Sequence, residues 1–194
     1  MNKLIGVVGR LNSGKGAIAE VLTEEYRFIA FSLADPLKMV VRDLFDIDEN
    51  ILWGPSENRT GEVRRMLQEL GTDFARKYRP NVWAEKLRRR VVAARNDGRD
   101  YLQLHNRHDL AVAQGIVVPD VRFPNEADII RELGGKLVRV VRPGSGDHET
   151  TAANNHESEN AGDDIVVDQR IVNDSTLEDL YDAVRAYVED TWPR

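Results

Sequence analysis

The sequence contains no cysteine, which excludes disulfide bonds, thiolate metal sites and a cysteine nucleophile. It also has no apolar run long enough to cross a membrane, and the short run near its amino terminus is broken by Gly6 and Arg10, unlike a signal peptide. Its formal net charge of −6 does not provide the excess of Lys and Arg that general nucleic-acid binding requires. We therefore expect a soluble, intracellular, cytoplasmic protein with no nucleic-acid or membrane partner.

The segment GRLNSGKG, residues 9–16, lies between an apolar strand pattern and a helical pattern. Its glycines and Lys15 match the first seven positions of the phosphate-binding loop G-x-x-x-x-G-K-[ST]. Backbone N–H groups at such a turn favour an anion, and Lys15 can reach the β- and γ-phosphates of a nucleotide. Gly16 and Ala17 lack the magnesium-binding hydroxyl that normally follows the lysine. Either water and a distant carboxylate hold the ion, or Ser13 contributes, or catalysis is weak.

The rest of the chain alternates between segments with the apolar spacing of a helix and segments with that of a strand. Helices are expected at 35–45, 63–76, 83–91, 124–133 and 175–188, and 48–61 is expected to be a loop. Strands are expected at 3–8, 28–32, 116–118, 136–141 and 165–172. Residues 96–115 fit neither pattern. The order predicts one domain over residues 1–194 with an α/β, three-layer P-loop NTPase fold: a mostly parallel central sheet with helices on both faces.

Several features of these elements lead to more local predictions. Asp35 followed by proline is expected to cap a helix, and Ser175 is expected to begin a capping box with Glu178. The triplet Arg88-Arg89-Arg90 is interpreted as a solvated helix face, and His105 and His108 as surface histidines. Gly71, inside a helical pattern, is expected to permit the close approach of another group.

The segment PDVRFPNE, residues 119–126, follows a buried strand. Asp120 and Arg122 are therefore expected at the carboxyl end of a central strand, where open α/β sheets bind ligands. Asp120 resembles a Walker B carboxylate, which positions magnesium or its waters. Arg122, Arg139 and Arg142 can neutralise charge on a phosphoryl group during transfer.

Residues 143–163 contain no Val, Ile, Leu, Met, Phe, Trp or Tyr. A polar stretch of this length inside a domain is typically a mobile lid or a disordered insert. Because it is flanked by Arg139 and Arg142 and contains His156-Glu157-Ser158-Glu159, we favour a lid that closes over the phosphates.

The segments GRLNSGKG, FSLADPLK, RRMLQELGTDFAR, PDVRFPNEAD and HESE occur in this order and cover most of the chain. Together they resemble the bacteriophage deoxynucleoside monophosphate kinases, a branch of the P-loop nucleoside monophosphate kinases. The resemblance implies transfer of the γ-phosphate of ATP, with Mg²⁺, to a deoxynucleoside 5′-monophosphate. Other expectations are an acceptor-binding helical region at about 33–95 and small-molecule nucleotides as partners; a homodimer is compatible with the sequence.

The resemblance also assigns roles to individual residues. Those implied in catalysis are Lys15, Asp120 and Arg122, with Asp120 near the metal; Arg142 is a further catalytic candidate because it can neutralise charge on the phosphoryl group. Those implied in ATP binding are Gly9, Asn12, Ser13, Gly14, Lys15, Gly16 and Arg139. Those implied at the acceptor are Asp35, Lys38, Arg65, Gln68, Thr72, Arg76, Arg122, Glu126, His156, Ser158 and Glu159.

Two other functions fit the same features. Another small-molecule P-loop kinase, of the dephospho-coenzyme A or phosphomevalonate type, would share the loop, lid and arginines. A nucleotide-binding protein without turnover would explain the missing hydroxyl, although the presence of Lys15, Asp120 and Arg122 together argues against it. A GTPase is not expected, because the sequence has no Asn-Lys-x-Asp signature for reading a guanine base.

Overall fold

In the computed structural model, five parallel strands form one sheet in the order β2-β3-β1-β4-β5. The structure describes residues 1–105, 107–144 and 162–193, without the side chains of Ser56 and Arg107. The strands are β1 (Lys3–Val8), β2 (Phe28–Ala30), β3 (Gly115–Val121), β4 (Lys136–Val141) and β5 (Gln169–Val172). Because β1 lies between β3 and β4, the loop after it leaves the middle of the sheet's carboxyl edge.

Helices connect the strands and cover both faces of the sheet. They are α1 (Lys15–Glu24), α2 (Asp35–Phe45), α3 (Glu49–Trp53), α4 (Gly61–Gln68), α5 (Val82–Asp97), α6 (Arg107–Val112), α7 (Pro124–Glu132) and α8 (Leu177–Thr191). A 3-10 turn lies at Ser56–Asn58, and a π-helical segment, Glu69–Arg76, continues α4. None of the helices in the described part of the chain is long and apolar enough to cross a membrane.

Alternate residues of β1 point into the two layers of the core. Ile5 and Val7 pack with apolar residues of α1 and α8 on one face. Leu4 and Val8 pack with those of α5 and α7 on the other face. The predicted three-layer fold with a parallel sheet is therefore confirmed.

A smaller apolar cluster joins α2, α3 and α4 at one side of the sheet. Gly71 lets the π-helical segment approach α2 closely: a Cβ on Gly71 would lie 2.6 Å from Cδ2 of Leu37. The indole Nε1 of Trp83 donates to the Gly71 carbonyl at 2.8 Å. The predicted close approach is confirmed, but the expected uninterrupted helix is wrong, because its second half is π-helical.

Several predicted boundaries are wrong. Residues 48–61 contain α3 and the 3-10 turn, and the Asp48 carboxylate caps α3 by accepting from the backbone N–H of Asn50. The strand expected at 28–32 ends at Ala30, and the one expected at 165–172 begins at Gln169. Asp35 is not the N-cap of α2; it is the first helical residue, and Ala34 is the N-cap.

The capping box of α8 lies one residue later than predicted. Thr176 and Asp179 form it, because the Thr176 hydroxyl accepts from the backbone N–H of Asp179, whose carboxylate accepts from the backbone N–H of Thr176. Ser175 donates its hydroxyl to the same carboxylate. Thr176 and Asp179 therefore have the capping roles that were predicted for Ser175 and Glu178.

We expect Thr176→Ala to lower the free energy of unfolding by about 1 kcal/mol, the usual cost of losing an N-cap hydroxyl. Ser175→Ala is the matched control and should cost less, because the Ser175 hydroxyl satisfies no backbone donor of the helix. Urea denaturation followed by circular dichroism measures both. A larger loss for Ser175→Ala would return the capping role to Ser175.

Candidate active site

The loop between β1 and α1 requires glycine at its last position. Gly14 has a φ of 111° directly before α1 begins. A Cβ on Gly14 would also lie 2.8 Å from Nδ2 of Asn173 and 3.1 Å from Cδ2 of Leu180. Only glycine combines this left-handed backbone with so little space. The loop therefore ends at the amino terminus of α1, a favourable place for an anion.

Asn173, which follows β5, holds this loop from a distant part of the sequence. Its Nδ2 donates to the backbone oxygen of Ser13 at 3.0 Å. Ser13 is buried, and its Oγ has no hydrogen-bond partner among the described residues. Buried hydroxyls are nearly always bonded, so an orphan inside a predicted phosphate loop indicates a group available to a ligand or its ion.

Lys15 folds back over the loop. Its Nζ donates to the backbone oxygens of Gly9 at 2.7 Å and Arg10 at 2.5 Å. Gly16 and Asn12 are exposed, and a Cβ on Gly16 would meet no described atom within 4 Å. Crowding therefore does not explain the missing hydroxyl after Lys15.

Three of the predicted cations meet at one cleft beside the loop. Lys15, Arg122 and Arg139 line it together with Gly9 and Gly162. Arg139 is fixed there by a hydrogen bond from Nη2 to the backbone oxygen of Gly162 at 2.9 Å. The pairing of Val8 with Val121 explains the convergence, because it aligns the ends of β1 and β3.

A wider cleft of about 350 Å³ adjoins the first and also contains Arg139. Arg142, just after β4, lines it together with Arg170 from β5. Arg10 lies at the same cleft and pairs with Asp163 at 2.7 Å. Sequence analysis missed Arg170, because a single arginine in a short strand gives no pattern; its pairing opposite Arg139 places it here.

Asp120 joins the end of β3 to the start of α2. Its carboxylate accepts from the Ser32 hydroxyl at 2.5 Å and from the backbone N–H groups of Leu33 at 2.9 Å and Ala34 at 3.2 Å. These bonds place a negative charge at the positive end of the α2 dipole. Asp120 therefore lies at the carboxyl edge, as expected, with both oxygens already engaged.

Asp35 and Lys38 face a cleft of about 610 Å³, which Trp53 and His105 also line. The Nζ of Lys38 lies 3.9 Å from Oδ1 of Asp35 and 5.6 Å from the centre of the Trp53 ring. Burial lowers the pKa of Lys38, and the negative charge of Asp35 only partly offsets this effect. Lys38 is therefore a partly desolvated cation, which an anionic ligand would stabilise.

Arg59 is a cation that sequence analysis missed, because it lies within the segment interpreted as a loop. Its guanidinium donates to the backbone oxygens of Ile51 at 3.2 Å and Leu52 at 2.9 Å. Burial lowers the pKa of Arg59, and the positive charges of Arg64 and Arg122 lower it further. Mutually repelling arginines beside Lys38 indicate a site for an anion.

Arg76 and Glu126 brace the turn that carries Arg122. The two side chains form an ion pair, and the Arg76 guanidinium lies 3.8 Å from the centre of the Phe123 ring. Glu126 accepts from the backbone N–H groups of Arg122 at 2.8 Å and Phe123 at 3.0 Å. Burial raises the pKa of Glu126, although Arg76 and both N–H groups oppose the rise. The structure therefore brings Arg76, Glu126 and Arg122 together.

The other predicted acceptor residues lie apart or outside the described residues. Arg65, in α4, is exposed; Gln68, at its end, and Thr72, in the π-helical segment, are half-buried. His156, Ser158 and Glu159, with most of the predicted lid, lie outside the described residues. Their assignments stay predictions.

The interpretation of the arginine triplet as a solvated face is wrong for its last member. Arg90 is 2% exposed and donates to Asp100 through Nε and Nη2, both at 2.8 Å, and to Asp35 through Nη1 at 2.6 Å. The periodicity of α5 explains this burial, since Arg90 lies three residues after Leu87 and four before Ala94, both buried. Arg89 is exposed and Arg88 pairs with Glu132 at the surface, so these two members behave as expected.

Leu104 and His105 line the same cleft as Asp35 and Lys38. Asp100 is buried and accepts from the backbone N–H groups of Leu102 and His105, both at 3.2 Å. His105 is partly buried rather than a surface histidine; its Nε2 lies 3.0 Å from the backbone oxygen of Ala30 and its ring stacks near Phe31. No group of three potential metal ligands was found in the described part of the chain.

Known proteins of one family resemble this chain in sequence. The family model for deoxynucleotide monophosphate kinase matches residues 49–184. A protein of Acanthamoeba polyphaga mimivirus that carries the same name is 34% identical over 197 residues, covering 96% of each chain. The deoxynucleotide monophosphate kinase of Enterobacteria phage T4 is 30% identical over 128 residues, which cover 63% of this chain but only 44% of the phage T4 protein.

Solved structures share the fold. Dephospho-CoA kinase from Campylobacter jejuni superposes with a TM-score of 0.51 over 98% of this chain and 96% of its own, at 15% sequence identity. At this identity the similarity concerns the fold alone.

Proposed function

The chain belongs to the deoxynucleotide monophosphate kinase family, and we propose from this premise that it transfers the γ-phosphate of ATP to a deoxynucleoside 5′-monophosphate, giving ADP and the deoxynucleoside diphosphate. The observation that carries the proposal is the meeting of Lys15, Arg122 and Arg139 at one cleft beside the phosphate loop. Family membership favours this reaction over a dephospho-coenzyme A or phosphomevalonate kinase, and it favours an enzyme over a binding protein without turnover.

The phosphate loop would bind ATP together with two arginines in and just after β4. The loop N–H groups and Lys15 would hold the β- and γ-phosphates, with Lys15 exchanging the carbonyls of Gly9 and Arg10 for phosphate oxygens. Arg139 and Arg142 would neutralise negative charge on the polyphosphate from the opposite side of the cleft. These contacts orient the γ-phosphorus toward the acceptor.

The acceptor phosphate fits between the donor cleft and α2. Lys38, Arg59 and Arg122 supply positive charge there, and two of them are partly desolvated. An oxygen of the acceptor phosphate attacks the γ-phosphorus in line, the bond to the β-phosphate's bridging oxygen breaks, and the electron pair leaves with ADP. The Arg76–Glu126 brace would keep Arg122 aimed at the transferring group.

Magnesium fits this site as an ion that arrives with ATP. The described residues offer no cluster of three metal ligands, and both oxygens of Asp120 are already hydrogen-bonded. Magnesium keeps several waters and binds mainly through phosphates when ATP is present. Asp120 would hold those waters, and the unpartnered Ser13 hydroxyl is a second candidate. The bound ion would neutralise charge on the β- and γ-phosphate oxygens.

The test is a panel of acceptors. The protein is incubated with Mg·ATP and each common deoxy- and ribonucleoside monophosphate, together with dephospho-coenzyme A and phosphomevalonate, and the products are resolved by chromatography. The expected result is a diphosphate from one or more deoxynucleotides. Conversion of only a non-nucleotide acceptor, or ATP binding without any product, would overturn the proposal.

The KM for the acceptor is expected to rise as the solution becomes alkaline. The rise should begin at a lower pH than it would if Lys38 had the pKa of an ordinary exposed lysine. Burial lowers the pKa of Lys38, so the ammonium form that attracts phosphate is present below this lowered pKa and disappears as the pH rises through it. Initial rates from neutral pH to about pH 10 measure the change. In Lys38→Arg, the guanidinium stays charged to a pH of about 12 or above, so the rise should vanish. An identical rise in both proteins would show that another group titrates.

A further inference from the structure

Four donors approach the carboxylate of Asp35, and they do so unequally. The Nη1 of Arg90 lies 2.6 Å from Oδ2, and the backbone N–H of Ser32 donates to the same oxygen at 3.1 Å. The indole N–H of Trp53 donates to Oδ1 at 3.1 Å. Lys38 is the most distant donor, with Nζ 3.9 Å from Oδ1. The hydrogen-bonding capacity of Asp35 is thus taken up mainly by groups other than Lys38.

Arg90 cannot leave this arrangement easily. Asp100 binds it through two hydrogen bonds on the side away from Asp35, and its guanidinium lies 3.9 Å from the centre of the Phe31 ring. The side chains of Arg90 and Asp100 are 2% and 0% exposed. The guanidinium is therefore clamped between two carboxylates, with one edge always presented to Asp35.

The charges of the four side chains balance. Asp35 and Asp100 are acids, and Arg90 and Lys38 are bases, all buried or nearly so. If Arg90 were absent, Lys38 would be the nearest cation left to Asp35. A partly buried carboxylate attracts a single neighbouring cation strongly, so a phosphate would have to compete with that carboxylate for Lys38.

We propose that Arg90 is a positioning residue for the acceptor: by occupying Asp35, it keeps the ammonium of Lys38 available to the acceptor's phosphate. This inference rests on the proposed function for its ligand, a nucleoside monophosphate, and on the observed distances for its geometry.

The test uses variants that change the buried charge in balanced steps. Asp100→Asn removes one clamp but leaves Arg90 on Asp35. Arg90→Met/Asp100→Asn removes one charge of each sign and leaves Asp35 facing Lys38. Adding Asp35→Asn to that pair removes the competing carboxylate. Thermal unfolding of each protein establishes that it is folded before the other measurements are made.

Two readouts are needed. The first is the rate of reductive methylation of Lys38, followed by peptide mass spectrometry, which requires no enzymatic activity. The second is the KM for the deoxynucleoside monophosphate found in the acceptor panel, with the KM for ATP as reference. In Arg90→Met/Asp100→Asn, we expect methylation to slow and the acceptor KM to rise, each by about tenfold, with the KM for ATP unchanged. Methylation should return toward wild type in the triple variant, and both readouts should stay near wild type in Asp100→Asn.

A merely structural role for Arg90 predicts a different pattern. The triple variant would then be methylated no faster than the double variant, or the KM would change without any change in methylation, and either result would overturn the inference. If the wild-type protein converted no monophosphate while methylation followed the expected pattern, the proposed function would fail but the positioning of Lys38 by Arg90 would stand.

Discussion

Replacing Lys15 with alanine is expected to lower kcat for phosphoryl transfer by about 10²–10³-fold, the usual loss when one positioned donor to a developing charge is removed. The Nζ of Lys15 lies within hydrogen-bonding distance of two loop carbonyls, at the cleft it shares with Arg122 and Arg139. No other lysine lines that cleft among the described residues. Steady-state kinetics with saturating Mg·ATP and the best acceptor measure the effect.

The control is Lys77→Ala, because Lys77 is exposed beside the end of the π-helical segment and far from the loop in sequence. It should leave kcat unchanged. Thermal unfolding of Lys15→Ala beside the wild type establishes that the variant is folded before its kcat is interpreted. An undiminished kcat in Lys15→Ala would remove the loop from the donor site.

Arg90→Met is expected to lower the free energy of unfolding by about 3–5 kcal/mol, the typical cost of removing one partner from a buried ion pair. The substitution leaves Asp100 buried without its cation and deprives Asp35 of its closest one. It also removes the stacking of the guanidinium on Phe31. Urea denaturation measures the difference in the free energy of unfolding between variant and wild type, with the dependence of that free energy on urea concentration held the same for both.

Arg88→Met is the matched control, because it changes the same residue type in the same helix. Arg88 pairs with Glu132 at the surface, where such pairs contribute at most about 1 kcal/mol. Arg90→Met/Asp100→Asn should be less destabilised than Arg90→Met alone, because no excess buried carboxylate remains. Equal losses for Arg88→Met and Arg90→Met would contradict the burial-based argument.

Much of the fold could be predicted because its strands are short, continuous apolar runs. The pattern around Val7 and Val117, buried on both faces, is that of central strands of a parallel sheet. The bounds of the edge strand β5 were harder to predict. The segment from Ile165 is apolar, yet only Gln169–Val172 pairs with β4. Apolar composition indicates burial, but it does not say where hydrogen bonding with a neighbouring strand begins.

The donor half of the site was predictable because it is local in sequence. Gly9, Gly14 and Lys15 lie within one loop, and Arg122 follows the neighbouring strand by a fixed sheet register. The acceptor half depends on contacts between distant residues, such as Arg90 with Asp35 and Asp100. No short motif encodes such pairs, so a run of arginines resembled an exposed face.

Arg59 and the π-helical segment show a second limit. Arg59 is half-buried and donates to carbonyls of the preceding helix, α3, and no periodic pattern in the sequence reveals such a residue. The residue pattern of a π-helical segment hardly differs from that of an α-helix. What favours the wider turn here is tertiary packing, in which Gly71 lies against Leu37.

The hydrogen bond from Asn173 to Ser13 has a consequence for biosynthesis. The phosphate loop emerges early from the ribosome, but Asn173 and Leu180, which support it, are translated about 160 residues later. At a typical elongation rate of 5–20 residues per second, that delay is roughly 10–30 seconds. A nascent chain therefore carries the loop sequence without the loop's final support until Asn173 and Leu180 have been translated.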